Sequence, residues 1–163
     1  MLAIEIETCK PASVGELESI HERYGKHPDH PNQLILLVRS GNSQVEATWL
    51  IKKWLENQPK PNAELSAELL ELLTLSTDWL ARLHLLQCIR FLELSQAPIS
   101  ELRPAILALV ESPNKLIRAW AFDGLFRLAQ LNHPDTAADM AKISVAMEDE
   151  SPAVRARLRN LMV

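Results

Sequence analysis

The sequence predicts an all-α protein, a right-handed α-α superhelix (solenoid) of about four helix hairpins behind a separate N-terminal helix. Three observations predict it. Four short segments recur at near-constant spacing with no internal gaps. The composition suits helices, with 47% apolar residues, 5% aromatics and only 4 glycines, whereas strands favour β-branched and aromatic side chains. Turn-forming clusters also separate stretches of helical periodicity.

The recurring segments are residues 44–50, 80–86, 116–122 and 153–159. Their third positions are Glu46, Arg82, Arg118 and Arg155, at steps of 36, 36 and 37 residues. Small or apolar residues flank these positions: Val45, Ala47, Ala81, Leu83, Ile117, Ala119, Val154 and Ala156. Each segment opens the second helix (B) of a hairpin whose first helix (A) precedes it. The expected A and B helices cover 31–39 and 43–57, 62–75 and 77–95, 99–111 and 113–131, 134–147 and 151–162. The chain thus divides into an N-terminal extension, 1–30, and a repeat region, 31–163, with units 31–58, 59–96, 97–132 and 133–163.

Each element has its own local reason. Residues 2–7 alternate weakly and have no partner strand, so extended coil or a helical turn is expected there. Ser13 and Glu16 form a capping box. Val14, Leu17, Ile20 and Tyr24 then recur on one face, and Gly25 ends that helix. Residues 40–43, 58–62, 96–98 and 132–135 read as turns. Ser112-Pro113 and Ser151-Pro152 each place a capping hydroxyl before a proline at the first helical position, where a missing N–H costs nothing. In 62–75, Leu65, Leu69, Leu72 and Leu73 form a core stripe, and Glu64, Glu68 and Glu71 a solvent stripe. Helices 77–95 and 113–131 are apolar nearly all round, through Leu80, Leu83, Leu86, Ile89 and Phe91 and through Leu116, Trp120, Phe122, Leu125 and Leu128. Such helices lie between neighbours. The last helix sets Arg155, Arg157 and Arg159 beside Val154, Leu158 and Leu161, which suits a terminal cap.

The B-helix pattern resembles HEAT and HEAT-like repeats. Those carry an Asp, then Val-Arg six residues on, then a small residue and a Leu. Asp149, Val154, Arg155 and Leu158 match, and Pro104 stands where HEAT A helices often kink. The resemblance covers about residues 31–163 and implies the superhelix. The equivalents of Asp149 are Ser112, Ser76 and Ser40, so a continuous Asp–Arg ladder cannot form.

The net charge is −4. Residues 1–112 carry 10 Lys/Arg against 15 Asp/Glu, and residues 113–163 carry 7 against 6. An acidic chain gains nothing from non-specific attraction to phosphate. Cys9 and Cys88 are too far apart in sequence for a CxxC site and read as free thiols of a reducing compartment. The N-terminus lacks a basic region before its apolar run, and no stretch reaches the length of a membrane span. These features imply a soluble, cytoplasmic protein.

Among side chains that carry chemistry, Arg82, Arg118 and Arg155 have two readings. They line an anion-binding ridge, or they hydrogen-bond turn carbonyls between stacked units. Trp49, Trp54, Trp79 and Trp120 all fall on B helices, as core or as a contact surface. His21, His27 and His30 lie near Asp29 in or beside an exposed turn, and no metal site is expected there. His84 sits among leucines as a core residue, and His133 helps start the fourth A helix. No phosphate loop, nucleophile elbow or HExxH is present, so no catalytic residue and no cofactor are assigned.

The leading expectation is a non-catalytic protein- or peptide-interaction module. Its candidate contacts are Arg82, Arg118, Arg155, Trp49, Trp79, Trp120 and His84, its partner an unidentified protein or peptide. It is expected as a monomer, or a weak dimer through an apolar end at Leu158, Leu161 and Met162. One alternative is nucleic-acid binding through Lys115, Arg118, Arg127, Arg155, Arg157 and Arg159, with the HEAT-like DNA glycosylases as its enzymatic form. Those enzymes use Trp, Asp and Arg on a concave face. Another alternative is a chaperone-like lyase of the bilin-lyase type, on fold analogy.

Overall fold

The computed structural model describes residues 1–149 and 151–163. These form ten α-helices and no strand. Among the described residues no helix is long and apolar enough to cross a membrane.

The chain opens with α1 (Leu2–Thr8), a helix where extended coil was one expectation. Leu2 and Ile6 are both buried, and their i, i+4 spacing places them on one helical face. That face outweighs the weak alternation. Glu5 ties α1 to α2 through an ion pair with Arg23 and accepts a hydrogen bond from the Tyr24 hydroxyl at 2.8 Å. Helix α2 (Val14–Tyr24) begins at the expected capping box, with the Ser13 N–H donating to Glu16 Oε2 at 2.7 Å. Leu17 and Ile20 are buried, but Val14, expected on the core face, is 59% exposed.

The hairpins follow. Helices α3 (His30–Arg39) and α4 (Gln44–Glu56) form the first, and α5 (Ala63–Leu75) and α6 (Trp79–Cys88) the second. Helices α7 (Ile99–Val110) and α8 (Lys115–Ala129) form the third, α9 (Thr136–Ala146) and α10 (Pro152–Leu161) the fourth. Helix α6 is shorter than the expected 77–95. It starts late because the Asp78 carboxylate caps the Leu80 and Ala81 N–H groups. After Cys88 the chain tightens into a 3-10 turn, Ile89–Phe91, which buries Ile89 and Leu92 and lets the Glu93 N–H donate to Ser66 Oγ at 3.0 Å.

Capping corrects two further expectations. Asn114, not Ser112, caps α8, accepting from the Leu116 N–H at 3.0 Å. Ser112 Oγ instead accepts from the Asn114 N–H at 3.2 Å. Ser151 does precede α10 with Pro152 in its first turn, but its hydroxyl is buried without a hydrogen-bond partner.

Within each hairpin the two helices pack together, and so do helices two apart in the chain: α3 with α5, α5 with α7, α4 with α6, α6 with α8, and α8 with α10. Helices α1 and α2 lie against α3 and α4. The core runs through Leu34, Leu50, Leu69, Leu86, Ile106 and Leu125, none more than 2% exposed. In α5, Leu69, Leu72 and Leu73 are buried as expected, Leu65 is half-buried, and Leu70 joins the core. Helix α8 touches α6, α7, α9 and α10, and nine of its residues are buried. Leu116 at its start is nevertheless 45% exposed. The apolar end expected at the C-terminus is smaller than the sequence suggests, because Leu158 is 0% exposed and packs into the core.

Gly124 lets α8 approach its neighbours closely. A Cβ there would sit 3.0 Å from Ile89 Cδ1 and 3.3 Å from Ile106 Cδ1. Gly124→Val is expected to lower stability by about 2 kcal/mol through overpacking. Gly124→Ala, which gains helix propensity against a milder contact, should change it by less than about 1 kcal/mol. Urea unfolding of both variants checks this; a Val variant as stable as the parent would show that the contact is not tight.

Candidate functional site

The three arginines of the recurring segments make one bond in common. Arg82 Nε donates to the Ser76 carbonyl at 2.8 Å, Arg118 Nη1 to the Ser112 carbonyl at 2.9 Å, and Arg155 Nη1 to the Asp149 carbonyl. Each acceptor lies 6 residues before its arginine, in the turn from the A to the B helix. Carbonyls at helix C-termini lack intrahelical donors, so each guanidinium ties a turn to the helix that follows it. Arg118 also spans to the next turn as a fork on Asp149, Nε at 3.2 Å and Nη2 at 3.1 Å. The Arg118 hydrogen bonds hold the Asp149 carboxyl below its ordinary range.

The first unit departs from this pattern. Glu46 occupies the arginine position, is 5% exposed, and leaves Oε2 without a hydrogen-bond partner. Gln44 takes over the turn. Its Nε2 donates to the Val38 carbonyl at 3.3 Å, and its Oε1 accepts from the Thr77 N–H at 3.2 Å.

Two residues beyond each arginine position stand Thr48, His84, Trp120 and Arg157. These make contacts between neighbouring B helices. Thr48 Oγ1 lies 3.1 Å from His84 Nδ1. The Arg157 guanidinium stacks 3.6 Å from the Trp120 ring centre, and that of Arg90 lies 5.3 Å from it, both within cation–π range. His84 is 7% exposed, and burial pushes its pKa down to about 4. It is therefore neutral at physiological pH and does not present itself at the surface.

Asp123 completes this cluster. Its side chain is 1% exposed, Oδ1 accepts from Arg127 Nε at 2.6 Å, and Oδ2 accepts from Arg157 Nε at 2.7 Å. Trp, Asp and Arg are the residue types that the DNA-glycosylase alternative calls for, and Trp120, Asp123 and Arg157 stand together here. Here both carboxylate oxygens are engaged and buried, so Asp123 has no open oxygen to offer a nucleotide. Of the basic C-terminal residues, Arg118, Arg127, Arg155 and Arg157 all bond internally, while Lys115 and Arg159 stand exposed.

A second buried carboxylate, absent from the sequence-based candidates, lies between α7 and α9. Arg103 donates to Asp139 through Nε at 3.0 Å and Nη2 at 2.6 Å, and the Asp139 side chain is 1% exposed. The pair is 36 residues apart. That separation, equal to the spacing of the recurring sequence segments, was the available signal.

The remaining candidates divide by exposure. Trp49 and Trp54 are half-buried against the core, whereas Trp79, first residue of α6, is 53% exposed. Cys9 and Cys88 are free, and burial pushes the Cys88 thiol up to about 12. His27 is exposed, but His30 begins α3 and is 1% exposed with neither ring nitrogen partnered. Its ring lies 6.3 Å from that of His21. Burial, reinforced by His21 and His27, pushes the His30 pKa down to about 4. Among the described residues no group of three or more His, Cys, Asp or Glu is placed to hold a metal ion.

Exposed large apolar side chains outside α1, α2 and the C-terminal tip gather beside the A–B turns. Leu36, Leu75 and Val145 lie in the last turns of A helices, Trp79 and Leu116 at the starts of B helices, at 64%, 46%, 76%, 53% and 45% exposure. Clefts adjoin the same turns. One of about 560 Å³ is lined by Lys10, Ser43, Gln44, Glu46, Thr77 and Asp78. Another of about 520 Å³ is lined by Arg118, Phe122, Lys142, Val145 and Asp149. No protein-family model, curated protein or solved structure matches the chain.

Asp123→Ala strips the partner from two arginines and is expected to cost about 3–5 kcal/mol; a loss below about 1 kcal/mol in chemical unfolding would show the cluster to be superficial. His30 and His84 have depressed folded-state pKa values, near 4 against an ordinary 6.5. The unfolded chain therefore binds their protons first as pH falls. Stability is full above about pH 6.5 and falls towards pH 4 by on the order of 3 kcal/mol per histidine. His30→Leu should raise stability at neutral pH by roughly 1 kcal/mol, because it removes unpartnered buried nitrogens. It should also reduce the acid slope, to which His21, lowered by burial, contributes as well; an unchanged slope in unfolding curves from pH 7 to 4 would refute the assignment.

Proposed function

We propose that the chain is a non-catalytic protein- or peptide-interaction module, built as a HEAT-like α-α superhelix that presents its A–B turn edge to the partner. The observation that carries this reading is that exposed large apolar side chains stand beside the A–B turns: Leu75, Trp79, Leu116 and Val145. Exposed apolar patches are the common mark of an interaction surface, and tryptophan is among the residues that dominate binding energy.

The superhelix is supported by contacts at the repeat step. Thr48 meets His84 and Arg103 meets Asp139, each pair 36 residues apart, and Lys52 meets Gln87 at a separation of 35. Arg82, Arg118 and Arg155 make the same bond to their own turns, which favours the structural reading of the arginine row over an anion ridge. A non-catalytic role agrees with the saturation of Asp123 and Asp139 by arginine, since a carboxylate held that way is poorly suited to proton transfer.

A photo-crosslinking residue at position 79 or 116 is expected to capture the same partner from the native host, and one at Glu64 to capture nothing. The triple variant Trp79→Ala, Leu116→Ala, Val145→Ala should weaken that partner at least about tenfold. Its thermal midpoint should barely move, because the three side chains are exposed. A partner that stays bound to the triple variant would dismiss the reading.

A further inference from the structure

We infer that the cleft beside the first A–B turn is a receptor for a guanidinium group, the side chain of an arginine in a bound peptide segment. This rests on the interaction-module reading and adds the chemistry of the partner.

Two buried polar side chains line the cleft without partners. Glu46 is 5% exposed with Oε2 unbonded, and Ser43 is 1% exposed with Oγ unbonded. Leaving such atoms unpaired is costly, most of all for a carboxylate. A carboxylate only accepts hydrogen bonds, so the matching guest must donate them and should carry positive charge. Gln44 is already committed to the Val38 carbonyl and the Thr77 N–H. Asp78 adds a second carboxylate to the lining, with Oδ1 engaged in capping α6.

The rest of the chain indicates which cation fits. Each of the other units carries its own arginine at the register position of Glu46 and uses it beside its A–B turn. Where the Arg118 guanidinium meets a carboxylate, at Asp149, it does so as a two-point fork. At that register position the first unit supplies an acid and no guanidinium, and its Arg39 is turned to Glu68 and Glu71. A guanidinium is planar, matches a carboxylate with two parallel donors and is more weakly hydrated than an ammonium, so it is the better guest for a buried acceptor. No group of three or more metal-ligating side chains is placed here among the described residues, which favours the organic cation over a metal ion.

Lys10 also lines the cleft, is exposed, and makes no hydrogen bond to Glu46 Oε2, which has no partner. It therefore opposes a cationic guest. Trp79, 53% exposed, follows Asp78 directly in sequence and gives the flanking peptide an apolar surface.

The test is a ¹⁵N–¹H NMR titration of the full chain with three blocked tripeptides, alanine on either side of arginine, lysine or citrulline. The arginine peptide is expected to give saturable shifts at the amides of residues 43–46 and 77–78, with a Kd on the order of 1 mM. The lysine peptide should bind at least about threefold more weakly, and the neutral citrulline peptide not at all. Glu46→Gln should lose about tenfold in affinity while Lys10→Ala gains about threefold. No saturable shift up to about 20 mM overturns the inference. So does equal binding of the citrulline or lysine peptide, or undiminished binding by Glu46→Gln. Should Glu46→Gln fail to fold, Lys10→Ala decides instead, and unchanged or weaker binding by it overturns the inference. Crosslinking at position 79 that persists when the titration fails removes the guanidinium receptor alone; loss of both removes the interaction module.

Discussion

A helix that ends in a tight turn leaves carbonyls without donors, and in three units an arginine from the next helix supplies one. Arg82, Arg118 and Arg155 each reach back 6 residues to the turn. The bond does more than satisfy an acceptor. It fixes the rotation of the B helix about its own axis, because the arginine must face the turn. Two residues further on is roughly 200° around the helix, and there Thr48, His84, Trp120 and Arg157 meet the neighbouring B helices. In the second, third and fourth hairpins turn geometry and the packing of neighbouring B helices are therefore coupled through two residues of the same B helix.

The same economy governs charge. Asp123, Asp139 and Asp149 are each bonded by an arginine from another helix or turn. A buried pair of this kind adds little net stability against an apolar replacement, yet it penalises any packing that separates the partners. Its effect here is on register. Asp139 has to face Arg103 and Asp123 has to face Arg157, so a shift of one helix along its neighbour breaks a buried ion pair. The surplus of basic residues in the C-terminal third is consumed in this way, and it leaves little basic surface for phosphate.

Much of this was legible in the sequence. All eight hairpin helices lie where periodicity and turn residues place them, most ends agreeing within two residues, because amphipathic stripes and Ser/Asn/Pro clusters are local signals. The misreadings have local causes as well. Ser112 and Asn114 are both good caps, and the one two residues nearer the helix does the capping. Helix α6 stops at Cys88 because Ser66, 27 residues from Glu93, offers a hydrogen bond to the chain leaving it; no window of α6 contains that information. His30 looked like part of an exposed turn, yet Pro31 follows it in the first turn of α3 and the start of the helix is covered. The arginine row was visible as a spacing, and of its two readings the turn-carbonyl bond is the one formed. Asp123 escaped notice because its partners are split, one on its own helix at i+4 and one 34 residues away.

Glu46 was also visible, as a break in the arginine column, but its consequence was not. The sequence shows an acid where a base recurs. Only the fold shows that the acid is buried and that Gln44 has taken over the turn bond, leaving the carboxylate without a task in the turn. The residue before Gln44 adds to the local cost, since Ser43 holds a left-handed backbone at φ 50°, a conformation in which non-glycine residues are uncommon. A chain that satisfies its other turns with an arginine has the means to satisfy this one too. Departures from local consistency that a fold nonetheless retains are concentrated where a protein meets something outside itself. At the first turn the departure is the buried acceptor itself, Glu46 Oε2 without a partner; an unbonded buried hydroxyl recurs at Ser76 and Ser151, and a cleft also adjoins the later turns. What would make that arrangement consistent with the other turns is a donor supplied from outside the chain.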